Sequence, residues 1–295
     1  MKKVGVATDS HSGIRQEEAE KYGIFVLPMP FYLDDVCYYE GINLTREMFF
    51  QRVKNGAVVK TSQPLPEKVM ELWDEALKEY DELVYIPMSS ALSGSYATAK
   101  MLAQEDAYEG RVFVVDNGRV SAAQERSILD ALDLVKQGYR AEEIKKILEE
   151  ARARHIIYIG IDNLEYLKRG GRISKATAAI GGVLNIKPVL RFNTGILETY
   201  KKCRGMHQAR KAMIEAMRQE FAGEFKEEYE KGEVYLLMAS SADPETTQSW
   251  REEMMAVFPD LPLVEAPLSL GLSCHIGPGG LGIGCSCKPR VPRGK

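Results

Sequence analysis

Hydroxyl groups cluster at two points in this sequence. The stretch Ser89-Ser90-Ala91-Leu92-Ser93-Gly94-Ser95 holds four serines around one glycine. It falls between an apolar run that reads as a strand and a segment that reads as a helix. Backbone N–H groups at a helix start attract anions, and hydroxyls beside them add donors. In open α/β sheets, ligands bind at such carboxyl ends of strands. A cradle for a carboxylate or phosphate is one reading, and capping of the helix by a single serine is the plainer one. Thr61-Ser62-Gln63-Pro64 is a second hydroxyl pair, just ahead of Pro66. Proline suits the first helical turn, so a hydroxyl here could equally be an N-cap.

Three further groups could carry chemistry. Gly277, Gly279 and Gly282 follow His275 with the G-x-G-x-x-G spacing of dinucleotide sites. Too few residues follow before Lys295 for the helix and returning strand of that motif. Tight turns, or backbone lying close to a ligand, account for these glycines better. His275 is one of four histidines and could serve as a polar handle at a ligand head or as a structural residue. Lys168-Arg169-Gly170-Gly171-Arg172-Ile173-Ser174 sets two arginines on a glycine turn, able to pair with carboxylates or phosphates or to form a solvated loop. Lys201, Lys202 and Arg204 make a similar basic end to a predicted hairpin. Cys274, His275, Cys285 and Cys287 are types that hold zinc, but their spacing matches no zinc pattern. There is no phosphate loop, no H-E-x-x-H and no G-x-S-x-G. A serine-type acyl hydrolase or acyltransferase can be drawn with Ser93 and His275, and with Asp9 or Asp116 as orienter; no local signature supports it.

These residues need a scaffold, and composition bounds it. At roughly 100–200 residues per domain, 295 residues make one large domain or two ordinary ones. Hydrophobic residues at 45% and charged residues at 27% exclude a disordered or fibrous chain. A net charge of −3 gives nothing that recruits nucleic acid. No apolar run approaches the ~18 residues of a membrane span, which leaves at most transient membrane contact. The start turns polar at Thr8-Asp9-Ser10, too early for a secretory signal. Five cysteines, an odd number spread thinly, fit free thiols in a reducing cytoplasm.

Apolar runs at 4–7, 24–30, 83–86 and 111–115 read as strands. Helices are expected at 66–80, 94–104, 121–136 and 141–154. In the first, Val69, Leu72, Trp73, Ala76, Leu77 and Tyr80 form one stripe of helical period. This alternation predicts βαβ units and a mostly parallel sheet. After a strand at 156–161 the pattern changes. A short helix at 163–168 precedes an apolar stretch at 176–184. A hairpin of 187–192 and 196–201 turns at Asn193-Thr194-Gly195. A helix at 207–220, a strand at 234–239, a helix at 244–257, a strand at 263–266 and a glycine-rich end complete the chain. The expectation is an N-terminal α/β domain over 1–155 and a mixed α/β C-terminal domain over 156–295.

Taken in order, these stretches resemble the DegV family of bacterial fatty-acid-binding proteins. The resemblance rests on Thr8-Asp9-Ser10, Thr61-Ser62-Gln63-Pro64, Leu92-Ser93-Gly94-Ser95-Tyr96 and Val115-Asp116. It continues through Leu164-Glu165-Tyr166-Leu167-Lys168-Arg169-Gly170-Gly171-Arg172-Ile173-Ser174, Leu184-Asn185-Ile186-Lys187-Pro188 and His275-Ile276-Gly277-Pro278-Gly279. It implies a two-domain DegV-like α/β fold with a buried acyl tunnel between the domains. One long-chain fatty acid, such as palmitate, stearate or oleate, would be the ligand, with no other cofactor and no metal. The resemblance places its carboxyl at Thr61 and Ser93, with Ser62 and Gly94 beside them and His275 and Gly277 joining. Arg204 matches a basic position near the carboxyl end, and Arg169 and Arg172 match a docking surface. The implied partner is a separate ATP-binding fatty acid kinase subunit that makes an acyl phosphate for phospholipid synthesis, so this chain would itself be a carrier and not an enzyme. Leu-Ser-Gly-Ser stands where Leu-Ser-Gly-Thr is commoner, Asn117 where serine is, and the tail from Cys285 to Arg290 departs from the family pattern.

Overall fold

The structure, a computed structural model, describes residues 2–173 and 186–291. Ser174, the apolar stretch expected at 176–184, and Leu184 and Asn185 of the family motif lie outside the described residues. The chain divides into two compact units, Met1–Ala153 with Pro289–Lys295, and Arg154–Lys288. Among the described residues, no helix is long and apolar enough to cross a membrane.

In the first unit, β1 (Val4–Asp9), β2 (Phe25–Leu27), β6 (Glu82–Ile86) and β7 (Val112–Val114) form a wholly parallel sheet in the order β2-β1-β6-β7. All of β1 and β6 is buried, as expected of central parallel strands covered on both faces. Successive side chains point to opposite faces, and the core divides accordingly. Ala7, Leu83 and Tyr85 pack with Val69, Trp73 and Ala76 of the Pro66–Glu79 helix. Val6, Val84 and Ile86 pack with Ile128, Ala131 and Leu134 of the Ala122–Lys136 helix and Ile144, Ile147 and Leu148 of the Ala141–Glu150 helix.

The run expected as one strand at 24–30 is shorter. Pro28 and Pro30 lack the donors a strand interior needs, so β2 ends at Leu27. The chain then forms a small antiparallel sheet that the sequence pattern did not reveal. Its strands β3 (Phe31–Leu33), β4 (Val36–Tyr38) and β5 (Val59–Thr61) run in the order β4-β3-β5. Phe49 of the Arg46–Lys54 helix meets Phe31 edge to face at 5.6 Å. Three-residue strands are too short to show a period of two.

The second unit holds a six-stranded mixed sheet, β10-β9-β8-β13-β11-β12. Its strands are β8 (His155–Gly160), β9 (Ile186–Phe192), β10 (Glu198–Arg204), β11 (Val234–Ser240), β12 (Leu263–Pro267) and β13 (Leu281–Cys287). Only β11 and β12 pair parallel. The Met206–Ala222 helix packs Ala209, Ala212, Met213, Ala216 and Met217 into a core with Trp250, Cys285 and Cys287. The glycine-rich end therefore supplies β13, a fully buried strand. Gly284 is required there because a Cβ would run into the carbonyl of Ile156 on β8. The hairpin also shifts. The second strand spans Glu198–Arg204, with a bulge between Thr199 and Lys201, and Lys201, Lys202 and Arg204 form its closing, basic end.

Glu82 opens β6 almost fully buried, 2% exposed. Its carboxylate accepts hydrogen bonds from both Arg140 Nε, at 2.9 Å, and Arg140 Nη2, from Lys2 Nζ at 3.2 Å, and from the Ala141 amide at 3.4 Å. The Arg140 hydrogen bonds lead in pulling its pKa down to about 2, against the opposing effect of burial. A carboxyl depressed on folding adds stability above its ordinary value of 4.5, and that stability is lost as pH falls towards 2. Because Arg140 is half exposed, we expect Glu82→Gln to cost only about 1–2 kcal/mol at pH 7. In urea titrations the gap between variant and parent should close as pH falls from 4.5 towards 2.

Candidate ligand-binding site

The first unit turns its chemistry outwards at the carboxyl ends of β1 and β6. Asp9, fully buried at the end of β1, accepts hydrogen bonds from the His11 amide (3.0 Å), the Met88 amide (2.8 Å) and Gln124 Nε2 (3.2 Å). Gln124 Nε2 also reaches Thr8 Oγ1 at 3.0 Å and the Ile86 carbonyl at 3.2 Å. Ser10 Oγ accepts from the Met29 amide at 3.0 Å. Thr8-Asp9-Ser10 thus ties β1, β6 and the Ala122–Lys136 helix together. Burial holds the His11 imidazole below its usual range, against the pull of the Asp9 charge.

The serine stretch leaves β6 directly above this knot. The Ser89 amide donates to the Arg119 carbonyl at 2.8 Å, and the Ser93 amide to the Ser89 carbonyl at 3.2 Å. Ser90 Oγ donates to Asp116 at 2.9 Å, and Arg152 Nη1 pairs with the same carboxylate oxygen at 2.6 Å. Asp9 and Asp116, the two candidate orienters of a hydrolase, are therefore engaged in holding loops. The helix Ser95–Leu102 begins with Gly94 at its N-cap and no side-chain bond from it. Ser93 Oγ accepts from the Ser95 amide at 3.2 Å, so the capping function falls to Ser93 alone.

Thr61 ends β5, where it pairs with Phe31. It is not an N-cap: that position of the Pro66–Glu79 helix belongs to Leu65, which makes no side-chain cap. Ser62 and Gln63 are exposed and Thr61 is half-buried. Gln63 brings the two hydroxyl loops together. Its Oε1 lies where a Cβ on Gly94 would come within 2.8 Å, and it accepts from Thr98 Oγ1 at 3.4 Å. The Gln63 side chain of the first hydroxyl loop thus lies against Gly94 of the second. Gln63 and Arg152 were not singled out from sequence; Gln63 stood inside a quoted motif, and Asp116, named there as an orienter, instead holds the loop.

In the second unit two motifs also meet. His275 lies in the last turn of the Leu270–Ile276 helix, its ring against Gly170, where a Cβ would collide with Nδ1. Gly277 has φ +75° and lies against the Tyr166 ring, with no room for a side chain. Ser241 pins the turn. Its Oγ donates to the Gly277 carbonyl at 2.6 Å and accepts from the Gly280 amide at 3.0 Å. Arg169 and Arg204 are exposed. Arg172 donates to the Gly170 carbonyl, and the Arg204 amide donates to Gln208 Oε1 at 2.6 Å. The cysteines offer no metal centre. Cys285 and Cys287 face the core, and burial pushes the Cys285 thiol far above its usual range, where it stays protonated. Among the described residues no group of three or more His, Cys, Asp or Glu side chains could hold an ion, and none of the five cysteines is in a disulfide.

A family model described as "Uncharacterised protein, DegV family" matches residues 3–288. The protein DegV of Bacillus subtilis is 30% identical over 289 residues, covering 96% of this chain and 99% of that one. Its crystal structure, described as that of a fatty acid binding protein, superposes with a TM-score of 0.83 at 28% identity, covering 98% of this chain and all of the other. A Thermus thermophilus protein described by its fatty acid binding superposes with a TM-score of 0.85 at 31% identity, covering 97% and 99%.

The contact between Gly170 and His275 makes a prediction with a sign change. Gly170→Ala should destabilise by about 1–3 kcal/mol because the imidazole has to move. In a His275→Ala background the obstacle is gone. Alanine is about 1 kcal/mol better than glycine inside a helix, so the same change should become neutral or stabilising. Urea midpoints of the four proteins check it.

Proposed function

Because the chain belongs to the DegV family, we propose that it binds one long-chain fatty acid, such as palmitate, stearate or oleate, in a buried tunnel. The observation that carries this reading is the contact of Gln63 with Gly94, which links the Thr61-Ser62-Gln63-Pro64 loop to the Ser93-Gly94 loop. Full-length likeness to fatty acid binding structures supports it.

The physical chemistry fits. Roughly fifteen buried carbon groups at ~0.8 kcal/mol each give about 12 kcal/mol gross. Ordering of the tail and loss of free motion offset part of that. Retention through purification follows without a covalent bond. The head group must be hydrogen-bonded, because an unpaired buried carboxylate is costly. Hydroxyls of Thr61, Ser62 and Ser93 and the amides around Gly94 supply donors. The family resemblance adds His275, Gly277 and Arg204 as ligand-binding residues, and we propose that role for them here.

The proposal continues to a carrier role. The hydroxyls of Thr61, Ser62 and Ser93 and the amides around Gly94 carry no charge and leave the carboxylate open to a second reactant. A separate ATP-binding kinase subunit, met through Arg169 and Arg172, would transfer a phosphoryl group to it for phospholipid synthesis. In this reading the chain works in the cytoplasm and supplies no catalytic group of its own.

Thr61→Ala with Ser93→Ala should weaken palmitate binding at least about tenfold, the equivalent of one or two lost bonds to a charged group. The melting temperature of the lipid-free protein should stay within a few degrees of the parent. Displacement of a fluorescent fatty acid checks it. Unchanged affinity in the double variant would remove the head group from this place.

A further inference from the structure

Ser95 has no part in the reading above, yet its hydroxyl sits against the proposed head site. It opens the Ser95–Leu102 helix and is only 4% exposed. Its Oγ lies 2.8 Å from Ser93 Oγ, its one hydrogen-bond partner among the described residues. Distance alone lets either oxygen donate. Burial decides between them. If Ser93 donated to Ser95, the Ser95 proton would be enclosed with nothing to receive it, and an unmet buried donor costs free energy. Ser93 is half-buried and can send its own proton outwards. Ser95 is therefore the donor and Ser93 the acceptor.

Ser93 Oγ also accepts from the Ser95 amide at 3.2 Å. A hydroxyl has two acceptor lone pairs and one proton. Both lone pairs of Ser93 are then filled from Ser95, and only its proton remains for a ligand. We propose that Ser95 is a positioning residue that makes Ser93 a one-way donor and so selects an ionised carboxylate head. An ionised carboxylate only accepts hydrogen bonds, and a relay of bonds strengthens each member. An alcohol head has a proton of its own to place, and Ser93 has no lone pair left to receive it. This inference rests on the assignment of the head group to Ser93. It adds a selectivity that the serine-rich stretch alone does not imply.

The test uses the full chain, stripped of lipid, with palmitate and its alcohol analogue cetyl alcohol competing against a fluorescent fatty acid. Ser95→Ala keeps the backbone donor and removes only the hydroxyl. We expect it to weaken palmitate about three- to tenfold, the effect of one hydrogen bond, and to change cetyl alcohol less than about twofold. Ser95→Thr restores the hydroxyl and should restore palmitate binding and the preference for it. Equal loss for both ligands would mean a plain structural effect and overturn the inference. So would a Ser95→Ala protein that binds like the parent, or a failed rescue by threonine. Ser93→Ala, run alongside, separates the two levels: if it leaves palmitate binding intact, the head site itself is misplaced.

Discussion

A carboxylate in a protein interior must be met by donors, and in the first unit that demand is made by Asp9. Fully buried at the end of β1, it takes amide hydrogens from His11 and Met88 and a side-chain amide hydrogen from Gln124. Those donors come from the turn after β1, the loop after β6 and the Ala122–Lys136 helix. Satisfying one charge therefore fixes the relative positions of three elements. The serine stretch grows out of the loop so fixed, and its other side is held by Asp116 and Arg152. The same chemistry, neutral N–H and O–H donors around an anion, is what we propose for the fatty acid head.

Glycines do a second kind of work. At Gly94, Gly170, Gly277 and Gly284 the missing side chain makes room for Gln63, His275, Tyr166 and the Ile156 carbonyl respectively. Each contact joins segments distant in sequence. Three of the four join the motifs through which this chain resembles its family. A glycine there fixes a neighbour's position, so its substitution is felt by another residue.

This explains what was legible in the sequence and what was not. Long apolar strands and helices with a 3.6-residue stripe, such as 66–80, carry their own signal, and the parallel sheet follows from their alternation. β3, β4 and β5 are too short to carry one. β13 was hidden because its glycines look like turn residues until β8 is seen beside it. The site divides similarly. Thr61 and Ser93 stand out as hydroxyls at strand and helix junctions, but whether either is a cap depends on backbone geometry. Leu65 takes the cap that Thr61 or Ser62 could have taken, whereas Ser93 does receive the Ser95 amide. Gln63 against Gly94 is a tertiary fact that local pattern does not carry.

The central claim is that this chain holds a fatty acid by burial and hydrogen bonds alone. Mass spectrometry of the purified protein, first native and then denatured, tests it most directly. The account predicts a native mass excess equal to one palmitate, stearate or oleate that disappears on denaturation. An excess that survives denaturation would mean an acyl–enzyme bond and contradict the carrier reading. Protein that stays at its bare mass after incubation with fatty acid would contradict binding itself.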